Sequence, residues 1–369
     1  MEEWKEYKLG EVCSRLRSGK SIKADFISNS GKYPVIGGNG VRGYTDESNF
    51  EGQAAVIGRQ GVYCGNVRFY EGEAYMTEHA VVVVGNELAD TRFLASLLSL
   101  LHLGNLSAQS AQPGISVQTL SKQIVRLQSI EYQKQVSCIL ESLDNKMEVN
   151  RRINDNLEKQ GQALFEEYVM VPKKPRTQLL SDYALINPTR TIVKGREARC
   201  IDMSSLPTKG PFPSDWIFKE YNGGMKFKNG DTIMARITPC LENGKTAYIN
   251  FLNEDEVAFG STEYIVLSAQ KGICSELFYF LARNNDFISY AIAHMNGSSG
   301  RQRVSRTDIA NYIMPEISKD TLDIVNEKLC GIMKVIKINS LESRHLAEIR
   351  DILLHRLMSG ELKVNDITV

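Results

Sequence analysis

The sequence lacks a net charge, a paired-cysteine motif and a long hydrophobic run. Its 44 Lys and Arg residues balance 44 Asp and Glu residues. This balance excludes a polybasic protein that holds nucleic acid or membrane by bulk charge, but it is compatible with a locally basic surface. The seven cysteines are scattered and include no C-x-x-C pair. That pattern indicates a reduced, cytoplasmic protein without structural zinc.

Segments that would direct the chain to or through a membrane are also lacking. The longest apolar stretch, residues 93–103, is about half the length needed to cross a bilayer, and we expect it to form a buried helix. The first residues are acidic and polar, unlike a signal peptide. The 369 residues suffice for about two domains.

Catalytic motifs are absent as well. Gly244-Lys245-Thr246 resembles the end of a phosphate-binding loop, but Pro239 stands where that loop needs glycine. Neither G-x-S-x-G nor H-E-x-x-H occurs, and His79 has no second histidine near it that could complete a metal pair. We therefore predict that this chain catalyses nothing by itself and binds no metal or cofactor.

The chain does contain an internal repeat, at a shift of 189 residues. Apolar residues at alternating spacings of four and three, the pattern of a coiled-coil seam, recur in two long segments. The first seam consists of Val136, Leu140, Leu143, Met147, Asn150, Leu157 and Leu164, and the second of Val325, Leu329, Ile332, Ile336, Asn339, Leu346 and Leu353.

Each segment predicts a helix of roughly 40 residues, on the order of 60 Å long. Because a single amphipathic helix cannot bury its seam alone, we expect the two copies to pack together, antiparallel. Asn150 and Asn339 lie on the seam at equivalent positions. A polar seam residue often fixes register, so we predict that these two asparagines meet near a pseudo-two-fold axis. The alternative is that each only tolerates a hydrated gap.

Upstream of each helix the repeat survives only in fragments. Residues 56–59 (Val-Ile-Gly-Arg) resemble residues 233–236 (Ile-Met-Ala-Arg), and Thr77-Glu78-His79 resembles Thr262-Glu263-Tyr264. Short β-branched runs bounded by Gly, Asn or Asp predict β-rich globular parts. The chain is thus two copies of one unit, each a variable globe followed by a constant helix.

The positive charge is concentrated in the second globe. Residues 171–312 contain 18 basic and 14 acidic residues, whereas residues 1–125 contain 12 and 13. Four basic residues cluster at 190–199, and three arginines stand in the Gly/Ser-rich loop before the second helix. Guanidinium groups on a glycine-rich backbone suit contacts to phosphates and base edges.

These features resemble the specificity subunit of type I restriction-modification systems. The resemblance lies in the two-copy plan, in residues 33–46 (YPVIGGNGVRGYTD), in residues 57–61 and 64–66, and in the Gly-Ile-Ser segment before the first helix. It implies an α+β protein with two repeated α/β target-recognition domains, each reading one half of a bipartite DNA site. The domains would be separated by two long helices packed as an antiparallel coiled coil. These helices would set the spacing between half-sites and dock partner subunits.

The domain boundaries follow from the repeat. We predict a first target-recognition domain at 1–125, a helix at 126–170, a linker at 171–177, a second target-recognition domain at 178–312, and a helix with a C-terminal tail at 313–369. The second globe lacks the Gly-Gly-Asn-Gly sequence of the first, so the two should read different sequences.

The residues that we predict to contact DNA are basic, polar or aromatic residues of the glycine-rich loops and strand ends. In the first globe they are Arg42, Tyr44, Arg59, Gln60, Tyr63, Arg68, Gln112 and Ser116. In the second they are Arg190, Lys194, Arg196, Arg199, Lys226, Arg236, Thr238, Lys245, Ser299, Arg301, Gln302, Arg303 and Ser305.

The resemblance also implies partners. These are double-stranded DNA, methyltransferase subunits, two of them, and restriction/translocase subunits. The cofactors S-adenosylmethionine, ATP and Mg²⁺ would be bound by those partners. A non-catalytic scaffold with two globes that is not specific for DNA is the alternative that the neutral charge allows, and a stand-alone DNA-modifying enzyme would need a cofactor fold that the sequence does not show.

Overall fold

The computed structural model describes residues 4–107, 114–171, 176–298 and 300–366. The chain forms two compact units. Unit 1 contains Met1–Met147 and Arg344–Val369, and unit 2 contains Glu148–Ser343. Each unit therefore combines one globular part with a stretch of both long helices. No helix in the described ranges is long and apolar enough to cross a membrane.

Unit 1 is built on a six-stranded sheet. In chain order its strands and first helices are β1 (Lys5–Lys8), β2 (Cys13–Ser18), β3 (Tyr33–Gly37), β4 (Gly40–Thr45), β5 (Phe50–Gly58), β6 (Val67–Met76), β7 (Ala80–Gly85), α1 (Thr91–Leu100), α2 (Val117–Ser121) and β8 (Ile124–Leu127). The sheet has the order β2-β7-β5-β6-β3-β4, in which only β3 and β6 are parallel. The central strands β5 and β7 are rich in Val, Ile and Ala, and residues 54–57 and 80–83 of these strands are buried.

The predicted apolar helix is confirmed as α1. Asp90 caps it by accepting a hydrogen bond from the Phe93 backbone N–H at 2.8 Å. Its apolar face, with Phe93, Leu94 and Leu98 fully buried, packs in the core that also contains Ile57 and Val83 of the sheet.

Unit 2 has two four-stranded sheets instead of one larger sheet. Its strands are β9 (Thr177–Leu179), β10 (Ala184–Ile186), β11 (Glu197–Ile201), β12 (Ile217–Glu220), β13 (Met225–Phe227), β14 (Asp231–Ala235), β15 (Thr246–Tyr248), β16 (Ala258–Gly260), β17 (Tyr264–Ala269) and β18 (Ile313–Pro315). The sheets have the orders β10-β17-β14-β15 and β12-β11-β16-β13.

The first of these sheets repeats four strands of the six-stranded sheet of unit 1, β2-β7-β5-β6. In unit 1, β6 is 10 residues long and reaches past β5 to pair with β3. The equivalent strand of unit 2, β15, has only three residues. It is therefore too short to connect the two sheets into one. The helices of unit 2 before its long helix are α4 (Leu277–Arg283), α5 (Asn285–Ala293) and α6 (Arg306–Ala310).

The 189-residue repeat is confirmed in the connection to each long helix. Ser116 caps α2 and Ser305 caps α6 through equivalent side-chain hydrogen bonds. The strand pair β1–β8 corresponds to β9–β18. The residue that follows the first strand of each pair donates an equivalent backbone hydrogen bond of 2.8 Å. Leu9 N–H donates to Gln123 O, and Leu180 N–H donates to Tyr312 O.

One upstream alignment of the repeat is wrong by one residue. Gly58 pairs with Ala80, and Ala235 pairs with Tyr264. The structural equivalent of Glu263 is therefore His79, not Glu78 as the sequence match had it. Side chains alternate between the faces of a strand, so a shift of one residue changes which side chain faces the neighbouring loop.

The two long helices are α3 (Ile130–Phe165) and α7 (Lys319–Ser359). α3 begins after residue 126 because residues 124–127 form β8, and five residues of π-helix, Glu166–Met170, follow it. Every residue of the predicted seams is buried or partly buried.

The helices run antiparallel where they pack within each unit. In unit 1, Asp144 accepts a hydrogen bond from Arg350 at 3.0 Å. The Tyr132 hydroxyl donates to the backbone oxygen of Leu357 at 3.1 Å, so within unit 1 an earlier residue of α3 contacts a later residue of α7. Within unit 2, Asn150 donates to Glu342 Oε2 at 2.7 Å and Asn154 donates to Ser340 Oγ at 3.2 Å, which is the same direction. The antiparallel coiled coil is thus confirmed.

Asn150 lies at the seam with 1% of its surface exposed. Its Nδ2 donates to Glu342 Oε2 at 2.7 Å and approaches the backbone oxygen of Asn339 at 3.4 Å. The Asn339 side chain donates instead to Asn154 Oδ1, at 2.9 Å. The two asparagines are neighbours, but their contact is from side chain to backbone. Their role in fixing register stays a prediction.

We expect Asn150→Leu to raise the free energy of unfolding by about 1 kcal/mol, because leucine has the same branched shape and Asn150 Oδ1 is buried without a hydrogen-bond partner among the described residues. The exposed Glu342 can be hydrated when it loses Asn150. Urea denaturation measures the change. Asn156→Leu, at an exposed position of α3, is the control and should have no such effect. A destabilised Asn150→Leu protein would show that the hydrogen bonds contribute more than the unpaired oxygen costs.

Candidate nucleic-acid interface

A glycine turn in unit 1 brings the β3–β4 hairpin against the end of β5. Residues 37–40 form this turn, and Gly40 has a φ of +103°, a backbone angle that residues other than glycine rarely adopt. At Gly38 a Cβ atom would lie 3.1 Å from the Gly58 Cα atom, so the turn touches the last residue of β5. The next residue in the chain is Arg59.

Three arginines surround this turn. Arg42 on β4 packs its aliphatic stem over Gly37, and Arg68 on β6 donates to Asn39 Oδ1 at 3.2 Å. Arg59 is held through its backbone, since its N–H donates to His79 O at 2.9 Å and its carbonyl accepts from Ile115 N–H at 3.0 Å. In the part of the chain that the structure describes, no carboxylate pairs with any of the three arginines. Their positive charge is therefore available to a ligand.

The loop that follows Arg59 exposes apolar side chains at its tip. Val62 is 94% exposed and Tyr63 is 50% exposed. The loop is anchored at Gly65, where a Cβ atom would lie 2.1 Å from the backbone nitrogen of Gly104. Exposed aromatic and apolar groups beside guanidinium groups suit contacts with thymine methyl groups and base edges.

Unit 2 carries the same backbone arrangement with different side chains. Arg236 follows β14 as Arg59 follows β5, and its N–H and carbonyl bond to Glu263 and Val304 at 3.0 Å each. Arg303 pairs with Glu263 through Nε and Nη2 at 2.9 to 3.0 Å. The backbone of Thr238 donates to Gln302 O at 3.1 Å. The structure thus brings Arg236, Thr238, Gln302 and Arg303 together.

Other predicted contact residues are engaged within unit 2. Arg190 forms an ion pair with Asp231 at 2.5 Å, and the two side chains are 9% and 1% exposed. Arg199 pairs with Glu256 at 3.0 Å and lies over aromatic rings. Lys245 donates to the backbone oxygen of Met203 at 2.7 Å. These groups support the fold of unit 2, so they rank below the exposed basic residues as DNA contacts.

The remaining predicted residues fall into three groups. Tyr44, Gln60, Lys194, Arg196 and Arg301 are exposed, and the ammonium of the partly buried Lys226 lies over a tyrosine ring. Ser116 and Ser305 cap helices. Gln112 and Ser299 lie outside the described residues.

Sequence reasoning missed two residues of these sites. Asn39 belongs to the glycine-rich turn and Glu263 to a fragment of the repeat, and the sequence predicts neither as a contact residue. A signal for Asn39 was present, because an amide between glycines at a hairpin turn can reach a neighbouring strand. Glu263 gave no local signal, since it lies 27 and 40 residues from Arg236 and Arg303.

Known proteins resemble the chain in sequence over part of its length and in fold over most of it. Residues 1–159 match the type I restriction modification DNA specificity domain. The chain is 38% identical over 146 residues to the specificity subunit of the type I restriction enzyme EcoprrI from Escherichia coli. Residues 1–159 thus contain a domain of the type I restriction modification DNA specificity family.

The sequence matches cover only part of each protein. The match to the EcoprrI subunit spans 38% of this chain and 36% of that subunit. The EcoEI specificity subunit, also from E. coli, is 32% identical over 145 residues, which are 37% of this chain and 24% of the relative.

The fold matches over a greater length. A crystal structure of the S subunit of a type I restriction-modification system from M. genitalium has a TM-score of 0.62 at 16% identity and covers 96% of each chain. At that identity the likeness shows the fold alone.

We expect Arg190→Ala to lower the free energy of unfolding of the protein by about 3 to 5 kcal/mol, because it leaves the Asp231 carboxylate buried without its charge partner. Lys194→Ala, at an exposed position in the same segment, is the control and should change it by less than about 0.5 kcal/mol. Chemical denaturation of both variants measures the difference. An Arg190→Ala variant with unchanged stability and weakened DNA binding would instead identify Arg190 as a DNA contact.

Proposed function

We propose that the chain is the DNA sequence-specificity subunit of a type I restriction-modification complex, and that it reads a bipartite, asymmetric site with one half-site for each unit. The observation that carries this proposal is the recurrence of one backbone frame in both units, each with an arginine at the end of an equivalent central strand. Arg59 and Arg236 occupy that position. Arginine suits it because a guanidinium can bond both acceptors of guanine in the major groove.

The two frames carry different side chains, which supports different half-sites. In unit 1 the strand-end arginine is followed by Gln60 and Gly61, and in unit 2 by Ile237, Thr238 and Pro239. The unit 1 hairpin adds Arg42 and Arg68, and in unit 2 the loop before α6 adds Arg303. Since base edges are distinguished by the pattern of donors and acceptors that faces them, different side chains on one frame select different bases.

The long helices offer a surface for partner subunits. Within unit 2, α7 exposes Val335, Ile338 and Leu341, and α3 exposes Val149 and Ile153. Apolar side chains that recur on an exposed helix face are typical of a protein–protein interface. We assign this face to the methyltransferase subunits, of which the complex would contain two, with restriction/translocase subunits as further partners.

The chemistry of such a complex would belong to the partner subunits. We propose that this chain is non-catalytic and that S-adenosylmethionine, ATP and Mg²⁺ are bound by the methyltransferase and restriction subunits. With no net charge, the isolated chain should bind DNA weakly, because non-specific affinity comes from phosphate neutralisation. Its own contribution is sequence discrimination.

The decisive experiment is to map methylated adenines in cells that express this chain with its methyltransferase partner. The expected result is one bipartite motif, and purified complex should retain duplexes that contain this motif. DNA affinity should be poor for the isolated chain and should rise when the methyltransferase is added. Retention of duplexes without regard to sequence would contradict the proposal.

We expect Arg59→Ala to weaken binding of the complex to its motif by about 1 to 3 kcal/mol and to relax recognition at one half-site. Competition binding against duplexes with single base changes measures both effects. Arg17→Ala is the matched control, because Arg17 is an exposed arginine on β2, at the opposite edge of the same sheet from β4. A loss that is uniform over all sequences would mark Arg59 as a phosphate contact.

A further inference from the structure

Unit 2 contains a cluster of two arginines around one carboxylate, formed by Arg236, Glu263 and Arg303. These residues come from the ends of β14 and β17 and from the loop before α6. Between about one quarter and two fifths of each side chain is exposed, at 28% for Arg236, 25% for Glu263 and 37% for Arg303. We call it the Arg–Glu–Arg cluster.

The Arg303 side chain is held by two kinds of contact. Its Nε donates to both carboxylate oxygens of Glu263, at 3.0 and 2.9 Å, and its Nη2 donates to Oε1 at 2.9 Å. Its Nη1 donates to the backbone oxygen of Arg301 at 3.0 Å. Since a guanidinium has five N–H donors, these contacts leave two N–H groups without an acceptor among the described residues.

Arg236 shares the same carboxylate at longer range. Its Nε lies 3.8 Å from Glu263 Oε2, which is an ion-pair distance but too long for a hydrogen bond. That Nε is buried and has no hydrogen-bond partner within the described ranges. Hydrogen bonds from Arg303, together with the charge of both arginines, lower the pKa of Glu263 despite its partial burial. The carboxylate is therefore ionised at neutral pH and offsets one of the two positive charges.

The equivalent positions of unit 1 carry no such cluster. His79 stands where unit 2 has Glu263, because both residues accept a backbone hydrogen bond from the arginine that ends the strand. Gly114 stands where unit 2 has Arg303, since Gln60 bridges to Gly114 as Ile237 bridges to Arg303. Only the strand-end arginine is common to the two units. The carboxylate is thus not required by the shared fold.

We propose that Glu263 is a positioning residue for sequence readout by unit 2. It fixes the guanidinium group of Arg303 by hydrogen bonds and attracts that of Arg236 by its charge, so that unused N–H groups face a base edge. This inference rests on the proposed function. A guanidinium that is held in one orientation can donate a pair of bonds to guanine at a lower entropic cost than a mobile one. The carboxylate also reduces the net positive charge at the site, which weakens attraction to phosphates of any sequence.

When the carboxylate is removed, the loss of positioning should weaken binding to the motif, whereas the added positive charge should strengthen binding to DNA of any sequence. Glu263→Gln should weaken binding to the motif and should leave binding to unrelated duplexes unchanged or tighter. The ratio of the two affinities should fall about tenfold or more, with the loss confined to one or two base pairs of one half-site. Recognition of the other half-site should not change.

The experiment measures binding of the complete complex, this chain with its methyltransferase, to the mapped motif and to every single-base variant of it. Glu256→Gln is the matched control, because Glu256 also forms an ion pair with an arginine of unit 2, Arg199, at similar exposure. Arg303→Lys keeps the charge but loses the fork of donors. It should relax the same base pairs, and the double variant with Glu263→Gln should lose little more than either single variant.

The outcomes separate the two proposals. If the unaltered complex shows no sequence preference, the proposed function fails. If it is sequence-specific and Glu263→Gln keeps the full affinity ratio, or relaxes both half-sites equally, or behaves like Glu256→Gln, the positioning role is overturned. Thermal unfolding of each variant identifies a loss of fold. If Glu263→Gln lowers the unfolding temperature, Arg303→Lys, which keeps the carboxylate, carries the test of the positioning role.

Discussion

The packing of the two long helices against each other is the contact on which both units depend. Each helix has one apolar seam, and each unit contains a stretch of both helices. In unit 1 the core includes Val136 of α3 and Leu357 of α7, and in unit 2 it includes Phe165 of α3 and Leu329 of α7. The globular core and the coiled coil are therefore continuous within each unit, and neither unit could bury its apolar surface with one helix alone.

The two units share the backbone elements that join the sheet to the long helix, whereas the side chains that they expose beside the strand ends differ. The capped helices α2 and α6, and the strand pairs β1–β8 and β9–β18, are alike because they join the sheet to the long helix. Side chains beside the strand ends, such as Gln60 and Arg303, lie outside the apolar cores of the two units, so they are free to differ. This separation lets one architecture present two sets of donors and acceptors.

Whether an arginine can bind a ligand depends on its ion-pair partners within the protein more than on the number of charges in the sequence. Residues 171–312 have the basic excess, yet several of their arginines form ion pairs with carboxylates inside unit 2, as Arg190 does with Asp231. Unit 1 has slightly more acidic than basic residues over 1–125. Even so, its turn is flanked by three arginines for which the described residues provide no carboxylate. A count of charges along the chain therefore gives a poor measure of which unit carries the more available positive potential.

The sequence by itself determined the repeat, the two long helices and the seam, because these depend on residue spacing within one segment or on a constant shift between two segments. It also placed Arg59 and Arg236 at equivalent strand ends. Only the tertiary structure decided which basic residues are engaged, because Asp231, Glu256 and Glu263 lie 27 to 57 residues from the arginines they pair with. It also corrected the one-residue error that had hidden the equivalence of His79 and Glu263, since strand register is fixed by backbone pairing and leaves no mark on a short, diverged segment.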